Sequence, residues 1–133
     1  MPFKKLFQSS EKTNDGLTQA AREAVVDMLH YVMYADKHIS DREDQFIEDA
    51  ARAFNWDPKI SYEYYEGKST GAVTRALSDP AASVTLFESI KARLPRKADR
   101  ELALKLADDL AKSDGKKEEE ASAIASLRAV LAG

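Results

Sequence analysis

Carboxylates gather at two places in this chain. Asp36, Asp41, Glu43 and Asp44 fall within nine residues, and Asp114, Glu118, Glu119 and Glu120 fall within seven. Hard divalent cations such as Ca²⁺ take about six to eight oxygen ligands from carboxylates and backbone carbonyls. A loop that leaves a helix C-terminus adds free carbonyls to such a set. The same acids have a simpler use. At the start of a helix they satisfy orphan amides and complement the helix dipole. Neither segment has the alternating carboxylates and 12-residue length of an EF-hand. Metal binding and capping are therefore both open on the residues alone. His38 adds an imidazole beside Asp36 and Asp41, which suits a transition metal or a solvated loop histidine equally.

Other chemistries have no foothold. The chain has no cysteine, which removes disulfides, thiolate zinc sites and cysteine nucleophiles. No serine sits beside a histidine base, no Gly-rich phosphate loop follows a strand, and there is no His-Glu-x-x-His. A catalytic role is not expected. With 20 Lys+Arg against 23 Asp+Glu, the net charge is -3, which argues against a nucleic-acid binder. No apolar run reaches transmembrane length and no signal-peptide core follows Met1, so the expectation is a cytoplasmic protein without stable membrane insertion.

The elements that must position these acids are helices. Residues 1–14 read as a flexible polar lead-in carrying a Phe3, Leu6, Phe7 cluster, and residues 15–133 read as one domain. Leu17, Ala21, Ala24, Met28 and Val32 form an apolar stripe at helical spacing, with Asn14 or Asp15 as the expected N-cap. Ser40-Asp41-Arg42-Glu43 matches a capping box and opens a second helix over Phe46, Ile47, Ala50 and Phe54. Asp57-Pro58 predicts a short third helix through Tyr65, followed by a weaker segment, residues 72–77, bracketed by Gly67 and Gly71. Asp79-Pro80 opens a helix with Val84, Phe87, Ile90 and Leu94. Further helices carry Leu102, Leu106 and Leu110, then Ile124, Leu127 and Leu131. The expected fold is an all-α single-domain bundle of six or seven helices. Leu29, Val32, Phe46, Ile47, Phe87, Leu106, Leu110, Ile124 and Leu127 are its expected core.

The two acidic segments share a plan. Residues 34–43 and 111–120 each join two amphipathic helices, begin with a small residue and an Asp at a helix end, and finish with acids in the next first turn. The anchors Asp36 and Asp114 lie 78 residues apart. An Asp-Gly at a helix end with a downstream helical Glu, occurring twice around a helical middle, resembles the TerB tellurite-resistance family; Ala111-Lys112-Ser113-Asp114-Gly115 and its acidic run carry the likeness best. The resemblance spans about residues 17–131. It implies an all-α cytoplasmic module linked to tellurite, phage and stress resistance, with acidic loops that bind Ca²⁺ or another divalent cation. Carried over by position, its ligands are Asp36 and Glu43 in the first loop and Asp114 and Glu120 in the second, joined here by Asp41. Lys37 stands where the family has Gly. The function expected is a non-catalytic module acting on another protein or a metal. The alternative is an interaction domain whose Phe54, Trp56, Tyr62, Tyr64 and Tyr65 form a docking face, with both loops purely structural.

Overall fold

The computed structural model describes residues 17–36, 40–113 and 118–132, and these form six helices without a strand among them. They are α1 (Gln19–Tyr34), α2 (Asp41–Ala53), α3 (Tyr62–Ser78), α4 (Pro80–Arg93), α5 (Lys97–Ser113) and α6 (Glu118–Ala132). The all-α class follows, and the lead-in residues 1–14 lie outside the described residues.

Caps explain most boundaries. Thr18 accepts from the Ala21 amide and starts α1. Asn14 and Asp15, the expected caps, lie outside the described residues, and the helix begins at Gln19. Ser40 accepts from the Glu43 amide at 3.0 Å and its hydroxyl donates to Glu43 Oε1 at 3.4 Å, so the expected Ser40 N-cap is in place. At the end of α2 Asn55 takes φ 64°, a left-handed position that Asn tolerates well. Asp79 caps α4 with Pro80 in its first turn.

Three expectations need correction. Asp57-Pro58 opens a turn, not a helix: Asp57 accepts from the Lys59 and Ile60 amides, the Trp56 indole donates to the Ile60 carbonyl at 2.8 Å, and the next N-cap is Ser61. Asp-Pro suits a type I turn as well as a helix start, and Ser61 supplied the stronger cap. Gly67 and Gly71 do not bracket a separate segment, because α3 runs through both; tertiary packing of Tyr65, Ser69, Val73 and Ala76 outweighs their weak helix propensity. Val84 is 57% exposed, and Leu86 takes the buried place in α4.

α1 packs against each of the other five helices. A helix enclosed on all sides must be apolar nearly all round, and residues 24–30 of α1 are consecutively buried. Of the nine expected core residues, seven are buried; Phe46 and Phe87 are half-buried at the rim of the same core. Phe87 sets its edge against Tyr31, ring centroids 5.1 Å apart. The hairpins α1–α2 and α5–α6 pack together, through α1 against both α5 and α6 and through α2 against α5.

A Cβ built on Gly67 or on Gly71 meets nothing within 4 Å. Replacing both by Ala removes backbone freedom from the unfolded chain at no steric cost. The double variant should gain about 1–2 kcal/mol in urea unfolding; a loss of stability would show that one of them serves a contact not visible in the fold.

Candidate functional site

The ends of the two hairpins come together. Arg42, in the first turn of α2, donates to the Ser113 carbonyl at the end of α5 across 3.1 Å. Each hairpin places three acids in the first turn of its second helix: Asp41, Glu43 and Asp44 in α2, and Glu118, Glu119 and Glu120 in α6. Glu43 and Glu120 are each only 1% exposed. Asp41, Glu118 and Glu119 face solvent, and Asp36 is half-buried just beyond α1. Asp114, Lys37 and His38 lie outside the described residues. Of the five expected ligands, then, Glu43 and Glu120 are sealed, Asp36 is partly so, and Asp41 is at the surface.

Among the described residues a different group converges. His30, Asp44 and Glu66 each bring one ligand atom to within 4.8 Å of the others. They come from α1, α2 and α3, so only the packed fold joins them. Asp44 stood among the acids of the first segment, but neither His30 nor Glu66 was read as a ligand from sequence, although His30 and Asp27 interrupt the apolar surface of α1, and a polar residue on a core face is the available signal.

The hydrogen bonds around His30 set its proton. Asp27 is 4% exposed and ion-paired to Arg93 at 2.6 Å. It accepts from Tyr65 Oη at 2.9 Å and from Ser69 Oγ at 2.6 Å. Ser69 has one hydroxyl proton, and the ion-paired carboxylate can only accept it. Ser69 must therefore accept from His30, whose Nδ1 lies 2.9 Å away. The imidazole carries its proton on Nδ1, and Nε2 presents a bare lone pair. That Nε2 is buried and has no hydrogen-bond partner.

Electrostatics follow from this burial. Desolvation pushes His30 down from 6.5 to about 4, against the opposing pull of Asp27 and Asp44, so the ring is neutral at pH 7. Glu66 is pushed up to about 7, first by desolvation, then by its hydrogen bond to Asp44 and by the charges of Asp44, Glu48 and Glu63. Burial, with Asp44 and Glu66 nearby, also raises Tyr34. Burial raises Tyr62 as well, aided by Glu66, Asp44 and Glu48. Arg52, the neighbouring cation, is held at the surface by Glu48 and Glu63.

The arginines on either side of Pro95 and the aromatic group are taken up by structure. Arg93, Arg96 and Arg100 are tied to Asp27, to Asp99 and to the Leu94 and Leu131 carbonyls respectively. Trp56 packs on Tyr62 and Tyr65 with ring centroids 5.4 and 5.6 Å apart. Tyr62 and Tyr65 are buried, which leaves Tyr64, at 73%, as the exposed tyrosine of the group.

The family model described as tellurite resistance protein TerB matches residues 4–62. Over this segment the chain is similar to the TerB family. The match takes in α1, the first acidic loop and α2, and stops as α3 begins. The second hairpin lies beyond it, so its place in the TerB pattern rests on its own acids. No curated protein and no solved structure matches the chain.

The Asp27–Arg93 pair holds α1 to α4 inside a part-buried network. Removing one partner strands the other, at a typical cost of about 3–5 kcal/mol. Arg93→Ala should lose stability on that scale, and Asp27→Asn added to Arg93→Met should recover part of it; equal losses in both would mean the charge pairing is incidental. A pH test separates the other two groups. The folded-state pKa of Glu66 lies above its unfolded value, so its contribution is present below pH 4.5 and lost as pH rises through 7. That of His30 lies below, so its contribution is present above pH 6.5 and lost as pH falls toward 4. Between about pH 4.5 and 6.5 the two oppose. In EDTA, Glu66→Gln should melt higher than wild type at pH 8 and show no advantage at pH 4.5; a constant difference would contradict the raised Glu66.

Proposed function

We propose that this TerB-like chain is a non-catalytic module of tellurite and stress resistance that binds a hard divalent cation, Ca²⁺ foremost, where its two acidic hairpins meet. The observation that carries the reading is the burial of Glu43 and Glu120. Both occupy the first turn of the second helix of a hairpin, and both are almost fully enclosed. Burying an ionised carboxylate is costly unless charge or hydrogen bonds compensate. Capping at Ser40 serves Glu43, and a cation held at the junction would draw further on the same two carboxylates. The donor set, Asp36, Asp41, Glu43 and Glu120 with Asp114 from the second loop, is all oxygen, which suits Ca²⁺ or Mg²⁺ over zinc. Arg42, bonded to the end of α5, fixes one hairpin against the other and preorganises the junction.

The reading extends to a role through a protein partner in the cytoplasm, the cation setting the shape of the junction presented to it. No helix among the described residues is long and apolar enough to cross a membrane. The aromatic group supports a docking face less well, since Tyr62 and Tyr65 are committed to packing.

Thermal melts with Ca²⁺ and Mg²⁺ test the proposal. A cation at a hundredfold excess over its Kd should add about 2.7 kcal/mol of stability. Asp36→Asn should abolish that rise and leave the apo protein folded. If millimolar Ca²⁺ and Mg²⁺ shift neither protein, while Ser40→Ala still costs about 0.5–2 kcal/mol, the loops are caps alone.

A further inference from the structure

We propose that His30 Nε2 and the carboxylates of Asp44 and Glu66 form a second cation site, separate from the hairpin junction, selective for a borderline transition metal of the Zn²⁺ type. The inference does not depend on the loop reading, because it uses none of the loop ligands.

The histidine carries the argument. Its Nε2 is a lone pair with no hydrogen-bond partner in a ring that is fully buried. Buried polar atoms nearly always find a partner, and an exception calls for a reason. Rotating protons cannot supply one here. The Ser69 hydroxyl is committed to Asp27, which leaves Ser69 only as acceptor for Nδ1–H, so Nε2 cannot be the protonated nitrogen of the neutral ring. A metal-bound histidine is held in the same way: one nitrogen donates to a fixed acceptor, and that fixes the other as ligand. Here the acceptor is Ser69, itself oriented by a carboxylate that Arg93 and Tyr65 hold in place.

The carboxylates complete the set. Ligand atoms of His30, Asp44 and Glu66 already lie within 4.8 Å of one another. Bonds of about 2.1 Å in a tetrahedral site separate ligands by roughly 3.4 Å, so a modest contraction closes them on an ion. Two carboxylates and a neutral imidazole balance a divalent charge. The identity of the cation follows from the imidazole: it favours zinc, copper, nickel or cobalt, whereas Ca²⁺ and Mg²⁺ prefer oxygen throughout. Three protein ligands leave a position open, as in zinc sites that also take water or a substrate. A proton shared between Glu66 and Asp44 relieves the carboxylates in the absence of metal, but it leaves Nε2 bare.

The chain has two histidines, which makes the test clean. Tag-free, EDTA-stripped protein is titrated with ZnCl₂ by calorimetry and with CoCl₂ by visible absorption, and the imidazole nitrogens are followed by long-range ¹H–¹⁵N NMR. The apo spectrum should show one histidine locked with its proton on Nδ1. Zn²⁺ should bind at one equivalent and shift the Nε2 of that same ring, and Co²⁺ should give d–d bands. Glu66→Gln, at a half-buried position, should weaken Zn²⁺ at least tenfold, and His30→Gln should abolish the Co²⁺ bands. Asp36→Asn and His38→Ala should change neither. The proposal is overturned if wild type takes up no stoichiometric Zn²⁺, if Glu66→Gln binds as well as wild type, or if the loss appears in Asp36→Asn or His38→Ala instead.

Discussion

The enclosure of α1 governs this molecule. Every other helix lies against it, so whatever α1 carries must be satisfied from the inside. Asp27 is the most demanding of its residues. An isolated buried carboxylate would be prohibitive, and the fold answers by bringing Arg93 from α4 and Tyr65 and Ser69 from α3 to its two oxygens. These bonds tie α3 and α4 to the central helix in one register. They are directional where the surrounding Ala, Val, Leu and Met contacts are not, so they select one arrangement from the many that an apolar bundle could adopt.

Both candidate centres grow out of this frame. Glu43 and Asp44 are neighbours in the first turn of α2, yet successive residues point about 100° apart around a helix. One turn can thus serve two purposes: Glu43 enters the buried hairpin junction while Asp44 meets His30 and Glu66. The donor chemistry keeps the two apart, since one set is all oxygen and the other includes an imidazole. The charges of α2 also reach α3: Asp44 and Glu48 both contribute to the raised Glu66.

How much of this could be read from the sequence depended on distance along the chain. The Ser40 cap and Glu43, three residues apart, form a local device and were legible, as was the Asp79-Pro80 start. The seven core residues found buried lay on helical stripes whose period does not need the fold. Asp57-Pro58 misled because the same dipeptide begins turns, and the deciding residue, Ser61, is an ordinary cap with no Pro behind it. Gly67 and Gly71 misled because local propensity was outweighed by the packing of α3 on α1. His30, Asp44 and Glu66 were illegible as a set: they are spread over three helices, and nothing at any one position announces the other two. The trace they left was indirect, two polar residues, Asp27 and His30, three apart on an apolar helix.

That trace has an energetic meaning. An unsatisfied buried acceptor costs about 1–3 kcal/mol, a large share of the total of about 5–15 kcal/mol that holds a domain folded. A Leu or Met at position 30 would avoid the cost and would extend the core of Met28, Leu29 and Met33 around it. The surroundings do the opposite. They spend Ser69, Asp27, Tyr65 and Arg93 on fixing one ring nitrogen, and they leave the other bare in a ring that lies beside the Asp44 and Glu66 carboxyl groups. Packing alone has no use for that arrangement. A lone pair held in a set direction against paired carboxylates is costly in an empty fold and favourable around a cation, and departures from local optimality of this kind concentrate where a protein does its chemistry.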